Sequence, residues 1–242
     1  MGQATVVATH GAMLSTYLSC LRIGHLEQEM HIFGYLKEHT KRKLGFDPGH
    51  PKVDKTRFHR FDWEEFYRGV EEAIPGDMPK PLGNLMSTHC FVDANHGRKK
   101  VTKQSQTGIL LFCCMLPIIM FRKRQNTVET CTFGIELFAL KNVVELVELV
   151  EALRYKLCMF GVPIEVATNV FGDNESVYKN VSTPELVVKK KYHSISYHQC
   201  HKLVAAVTVR LAKEPTASKL ADLFTKMLPQ IVREKLLDWF TY

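Results

Sequence analysis

The chain has 242 residues, 45% of them hydrophobic, enough to bury one sizeable core plus an appendage. Its 32 Lys and Arg against 25 Asp and Glu leave a formal charge of +7, which points to an anionic partner, nucleic acid first. No apolar stretch is long enough to span a bilayer and the start lacks a signal-peptide layout. The seven cysteines include no CxxC pair and read as reduced thiols, so no membrane partner and an intracellular place are expected.

Residues 12–46 read as a helical pair, with Leu26, Met30, Phe33 and Leu36 at helical spacing and Lys41, Arg42 and Lys43 suiting the C-terminal end before Gly45. The Leu26, Met30 and Phe33 stripe has no obvious partner within the chain. Residues 47–85 are rich in Pro, Gly, His and charge and read as a linker. Within it, "DWEEFYRGVEEAI" predicts a short helix with Asp62 as N-cap and Glu65 completing a capping box.

From residue 86 the pattern turns to strands and helices. "THCFVDA", "TGILLFCCM" and "PIIMF" read as three strands, the last two joined by a turn near Pro117 into an antiparallel meander. A long helix follows, in which Leu140, Val143, Val147, Val150, Leu153 and Leu157 recur every three or four residues until Gly161 stops it. "VATNVFGD" is a fourth strand, one or two helices cover 174–202, "VTVRLA" is a fifth strand, and "SKLADLFTKML" opens a last helix. This order predicts an α/β fold, a five-stranded mixed sheet flanked by helices with an N-terminal helical appendage. The expected division is 1–46, 47–85 and 86–242.

Four acids stand out. Asp93 ends the first strand, Glu136 sits in the first turn of the long helix, Asp173 ends the fourth strand, and Asp222 sits in the first turn of the last helix. Taken singly, each reads as a turn residue or a favourable helix-start acid. If the first and fourth strands lie parallel and adjacent, their C-terminal ends bring Asp93 and Asp173 together, and the helix acids lean over the same edge. Acids so gathered repel one another unless cations neutralise them, and an all-oxygen donor set suits two Mg²⁺ ions, with Mn²⁺ as a substitute.

With these pieces in view, residues from about 87 onward resemble the ribonuclease H domain of copia-type retrotransposon polyproteins. The resemblance is carried by "VDANHGRKKVTKQSQTG", "KRQNTVETCTFGIELFALK", "GDNESVYKN", "KKKYHSISYH" and "LADLFTKMLP". Residues 1–46, with "MLSTYLSCLRIGHLEQEMHIFGYLK", resemble the reverse-transcriptase segment that precedes that domain. It implies a ribonuclease H-like fold, and it places the family's catalytic, metal-binding acids at Asp93, Glu136, Asp173 and Asp222. The implied activity is two-metal hydrolysis of the RNA strand of an RNA–DNA hybrid, one metal readying water and the other stabilising the departing 3′ oxygen. The implied partners are the hybrid and the rest of the reverse transcriptase; the implied place is cytoplasmic, in a virus-like particle, or nuclear.

Departures from the family pattern fall at Gly134, Ile135, Cys131, the position after Asp173 and the "FRKRQ" stretch, beside the acids rather than on them, and the polymerase's aspartate motif is absent. No histidine lies between Val209 and Asp222, where some ribonucleases of this fold carry one that assists product release.

The basic clusters at 98–103, 121–124 and 188–193 read as solvated faces by default, but the first two flank the meander near Asp93 and fit phosphate contacts. Expected nucleic-acid contacts are Arg98, Lys99, Lys100, Lys103, Gln104, Ser105, Arg124, Gln125, Asn126 and Asn174. His193 and His198 read as substrate-side or packing residues rather than zinc ligands, because no second ligand pair accompanies them. The alternative to an enzyme is a non-catalytic nucleic-acid-binding or assembly fragment of a decayed or domesticated retroelement. An integrase-type nuclease of the same fold is a third reading, disfavoured by the position of the Glu136 helix.

Overall fold

Runs of β-branched and aromatic residues pair into one sheet in the computed structural model of the chain. It describes residues 11, 14, 20–41, 43, 45, 47, 49–51, 54–58, 61–70, 76–96, 104–129, 131–185, 194–214, 219–226, 228–239 and 241. The strands are β1 (Thr88–Asn95), β2 (Gln106–Cys113), β3 (Leu116–Arg124), β4 (Thr168–Gly172) and β5 (Val209–Lys213). Their spatial order is β3-β2-β1-β4-β5. β1 and β3 run antiparallel to β2, and β4 lies parallel to both β1 and β5. Helices α1 (Ile23–Glu38), α2 (Thr132–Met159), α3 (Glu175–Ser182), α4 (Ser194–Ala205), α5 (Asp222–Thr225) and α6 (Gln230–Leu237) flank it. This is the α/β arrangement that the sequence predicts, a five-stranded mixed sheet flanked by helices with an N-terminal helix.

Alternation along the strands decides which helix covers which face. Cys90, Val92 and Ala94 of β1, with Ile109 and Leu111 of β2, face α2, α3 and α4 and form the larger core. Phe91, Leu110, Phe112, Phe171 and Ala212 face the other way and pack on Leu223 and Phe224 of α5 and Leu236 and Leu237 of α6. β1 and β2 are buried along their whole length, because each is covered on both faces. Each fully buried aliphatic such as Ile109 or Leu110 contributes about 1.5–3 kcal/mol.

The long helix forms as its period requires: Leu140, Val143, Val147 and Val150 are buried, and Leu153 and Leu157 are half-buried. It ends as Gly161 dictates. Gly161 takes φ +73°, its N–H bonds to the Cys158 carbonyl, and the Val162 N–H bonds to the Leu157 carbonyl, a Schellman ending.

Three expectations are corrected. The β2–β3 turn lies at Cys114 and Met115, with Cys114 at φ +53°, and Pro117 stands inside the edge strand β3, where a missing N–H costs no ladder bond to a further strand. The helix expected over 62–74 is absent from its described part. Asp62 Oδ1 accepts from the Glu64 N–H at 3.0 Å in a local turn, Gly69 sits at φ +65°, and only one turn forms, closed by the Tyr67 N–H on the Trp63 carbonyl. The last helix is two pieces, because α5 closes after one turn and Pro229 stands ahead of α6.

The described part of 47–85 is not detached. Phe58 packs on Phe171 at 5.6 Å between ring centroids, and Trp63 is buried with its edge on His201 at 5.0 Å. Tyr67 adds a hydrogen bond to His198 Nδ1 at 3.2 Å, and His193 lies outside the described residues. The apolar stripe of α1 stays exposed, with Leu26, Met30 and Phe33 each more than half accessible. Among the described residues no helix is long and apolar enough to cross a membrane.

Candidate metal centre

The parallel pairing of β1 and β4 sets the site. Phe91 is opposite Phe171, so Asp93 and Asp173, each two residues further on, leave the same end of the sheet side by side. Glu136, in the second turn of α2, reaches that end from the helical layer. One carboxylate oxygen of each of Asp93, Glu136 and Asp173 lies within 4.8 Å of the others. They line a cavity of about 640 Å³ together with Asn95, His96, Asn174 and Lys226.

Asp93 shares the parity of Phe91 and points toward α5. There Thr225 Oγ1 donates to Asp93 Oδ2, and Asn95 Nδ2 donates to the Thr225 carbonyl at 3.0 Å. Gly108, the cross-strand partner of Asp93, makes this approach possible: a Cβ there would meet Phe224 Cβ at 2.7 Å and Thr225 Cγ2 at 2.9 Å. On the other side Gly172 leaves room for the Tyr178 hydroxyl, which a Cβ would overlap at 1.7 Å.

Burial and mutual repulsion set the electrostatics. Burial chiefly raises the Asp93 carboxyl, with Asp222 and Asp173 adding to it, while the Thr225 hydrogen bond and Lys226 pull it back. Burial pushes Glu136 well above the usual carboxylate range, and Asp93 and Asp173 push further. Glu214, buried at the end of β5, rises to about 9 for the same first reason, although it accepts the Leu220 N–H at 2.9 Å.

Two lysines reach into this field. Lys226 Nζ lies 2.5 Å from Asp222 Oδ1 and 3.4 Å from Asp93 Oδ1, and Lys219 Nζ lies 3.3 Å from Asp173 Oδ2. Burial alone would lower Lys226, but Asp222, Asp93 and Asp173 together hold it above its ordinary value.

The donor set fits a hard divalent cation: three carboxylates, two of them buried, with no thiolate or imidazole among them, and a surplus of negative charge that a cation would relieve. Asp222 stands apart from the three oxygens and meets Asp93 through Lys226.

Of the other residues singled out in the sequence, Asn174 caps α3, accepting the Val177 N–H at 3.3 Å, and lines the cavity. Arg124 pairs with Gln106, which pairs with Asn95, so Arg124 and the following Asn126 lie exposed at the acids' end of the sheet. Gln104 is half-buried. Ser105 and Gln125 are inside rather than on the surface. The Ser105 carbonyl takes the Gln125 N–H at 2.8 Å, and Gln125 Nε2 donates to Thr107 Oγ1 and the Ile135 carbonyl, both at 3.0 Å. Their polarity serves the β3–α2 junction. Arg98, Lys99, Lys100 and Lys103 lie outside the described residues.

The sequence reading missed Lys226, Thr225 and Glu214. Lys226 carried a signal, since a lysine four residues after Asp222 on a helical turn is a ready ion pair. Thr225 and Glu214 carried none, because tertiary packing alone sets their neighbours.

No family model matches the chain. Among solved structures it is similar to the N-terminal RNase H domain of a Mycobacterium tuberculosis protein fused to maltose-binding protein. That match has 13% identity and a TM-score of 0.41, over 63% of this chain and 97% of that one. It is similar to RNase H1 of the halophilic archaeon Halobacterium salinarum at 12% identity and a TM-score of 0.39, over 63% of this chain and 98% of that one. An RNase H1 isolated from compost is similar at 15% identity and a TM-score of 0.42, over 57% of this chain and 92% of that one.

Proposed function

We propose that the chain is a divalent-metal-dependent ribonuclease H that hydrolyses the RNA strand of RNA–DNA hybrids, and that it is a fragment of a copia-type retroelement reverse transcriptase. One observation carries the catalytic reading: Asp93, Glu136 and Asp173, from three separate elements, bring carboxylate oxygens within 4.8 Å of one another at the C-terminal ends of two parallel strands. Structural acids have no reason to gather this way, since each raises the cost of ionising the next. The retroelement setting rests on the motif set quoted above.

Asp93, Glu136 and Asp173 would hold the cation, and Asp222 adds negative charge at the rim. A bound divalent cation supplies positive charge to the phosphodiester oxygens and makes a water more acidic. Thr225 and Asn95 keep Asp93 aimed into the cavity. Lys123, Arg124 and Asn126 on the edge strand side, Gln104, and Asn174 at the cavity wall are the described groups positioned to meet a duplex backbone; a hybrid's shape and 2′-hydroxyls, rather than base edges, would decide recognition.

The test is cleavage of a hybrid labelled on its RNA strand. The full chain should cut with Mg²⁺ or Mn²⁺, stop in EDTA, and leave the corresponding DNA duplex intact. Binding of the hybrid without cutting under any of these conditions would establish the non-catalytic fragment instead.

A further inference from the structure

The donor oxygens at the centre divide unequally. Asp93, Glu136 and Asp173 form one group of three, and Asp222 is not in it. Between Asp222 and that group sits an ammonium: Lys226 Nζ, 2.5 Å from Asp222 Oδ1 and 3.4 Å from Asp93 Oδ1. We propose that Lys226 is a built-in cation occupying the place of a second metal ion, so that the resting protein binds one divalent ion rather than two. The inference rests on the metal-site reading above.

Three features support it. First, Lys226 leaves from a backbone position that its element fixes. It caps the one-turn helix α5, its own N–H bonds to the Asp222 carbonyl at 3.0 Å, and α5 is locked onto the sheet through Gly108. Second, the bridging oxygens are engaged. Asp93 Oδ2 takes the Thr225 hydroxyl and Asp93 Oδ1 takes Lys226, while Asp222 Oδ1 takes Lys226 as well. A divalent ion between Asp93 and Asp222 would have to displace the ammonium or sit against it, and like charges a few ångströms apart in a half-buried site repel strongly. Third, an ion of that kind asks for about six oxygen donors, and Lys226 removes donors from its reach without supplying any. Lys219 does not duplicate this role, because among the described residues its ion pair is with Asp173 and not with Asp93 or Asp222.

The experiment is a Mn²⁺ titration of the full chain, with free ion read by electron paramagnetic resonance and heat by calorimetry, without nucleic acid. The parent should bind one ion, Lys226→Gln two, and Lys226→Arg one, since it keeps the charge. Lys226→Gln combined with Asp222→Asn should return to one. Lys226→Met, also charge-free, should repeat the Lys226→Gln result, and circular dichroism should show native helix content throughout. Two ions in the parent, or one in both the parent and the charge-free variants, would overturn the role of Lys226 while leaving the metal site standing. No ion in the parent, together with Mg²⁺-independent behaviour on hybrid, would instead overturn the metal-site reading itself.

Discussion

Of the contacts that hold Asp93, the Thr225 hydrogen bond does not need its charge and the Lys226 ion pair does. Thr225 donates to it whether the acceptor is a carboxylate or an amide, and burial already works against ionisation. Asp93→Asn should therefore melt at or above the parent's temperature in EDTA, bind hybrid, and lose nearly all cleavage. Adding Mg²⁺ at a hundredfold excess over Kd should stabilise the parent by roughly 2.7 kcal/mol and the variant by less. Outright unfolding of Asp93→Asn would make Asp93 a structural residue. Glu214 supplies a second residue-scale test, and the sign follows from its raised value. The folded protein keeps a proton that the unfolded chain releases above about 4.5, so the group's contribution is full below that pH and is lost as pH rises toward about 9. A single such group costs about 1.4 kcal/mol per pH unit across the window. Glu214→Gln still accepts the Leu220 N–H and sheds that slope. Urea unfolding at about pH 6 and about pH 8 should show a flatter pH dependence and a stabler variant at the higher value.

At the scale of elements, the site depends on how closely α5 lies on the sheet. Gly108→Ala places a methyl against Phe224 and Thr225 side chains and 3.2 Å from the Ala221 carbonyl, so α5 must lift. The expected cost is about 1–3 kcal/mol of stability, with a loss of cleavage larger than the loss of hybrid affinity, because the lift moves Thr225 off Asp93 and carries Asp222 away from it. Cleavage and affinity measured on one preparation, beside the melt, check it. Gly108 also shows where sequence reading stops. The strands, the long helix and the positions of four acids followed from periods of two and of three to four, and Gly161 ended its helix as its lack of a Cβ allows. The helix over 62–74 failed because Asp62 closed a local turn and Trp63 was drawn to His201, a partner far along the chain. Gln125 and Ser105 looked like surface groups for the same reason: nothing local says that the Ile135 carbonyl will need a donor. The acids were legible because strand ends and helix starts are local features. Their hydroxyl and glycine neighbours were not, because they arrive from other elements, and Lys226 was legible only as the i,i+4 partner of Asp222.

At the scale of the whole molecule, the formal charge of +7 is spread unevenly. β3 ends in Arg122, Lys123 and Arg124 at the same end of the sheet as the acids, with Arg122 tied to Gln106 Oε1 and the other two exposed. If Lys123 and Arg124 each meet a phosphate, hybrid affinity should fall steeply with salt. Replacing both by Gln should flatten the log–log slope by roughly 0.7–0.9 per contact, equally for all hybrid sequences. An unchanged slope would remove β3 from the interface.

The division of the chain into 1–46, 47–85 and 86–242 is a proposal that proteolysis can test, and the packing defines what to expect. α1 exposes Leu26, Met30 and Phe33 and reaches the sheet domain at Tyr35, whose ring lies 5.4 Å from the Arg233 guanidinium. Such a contact holds weakly once the chain around it is cut. Further along, Phe58 on Phe171 and Trp63 on His201 bury aromatic surface against the core and should protect the segment they belong to. Limited digestion of the full chain should therefore remove α1 first and leave a stable fragment beginning upstream of Phe58. Trp63→Ala removes the buried indole, and with it up to about 3 kcal/mol of local anchoring. In that variant the first stable fragment should begin near residue 85, because the freed stretch then exposes its backbone. If the parent itself trims directly to that point, the aromatic contacts of Phe58 and Trp63 are too weak to make 54–70 part of the folded domain.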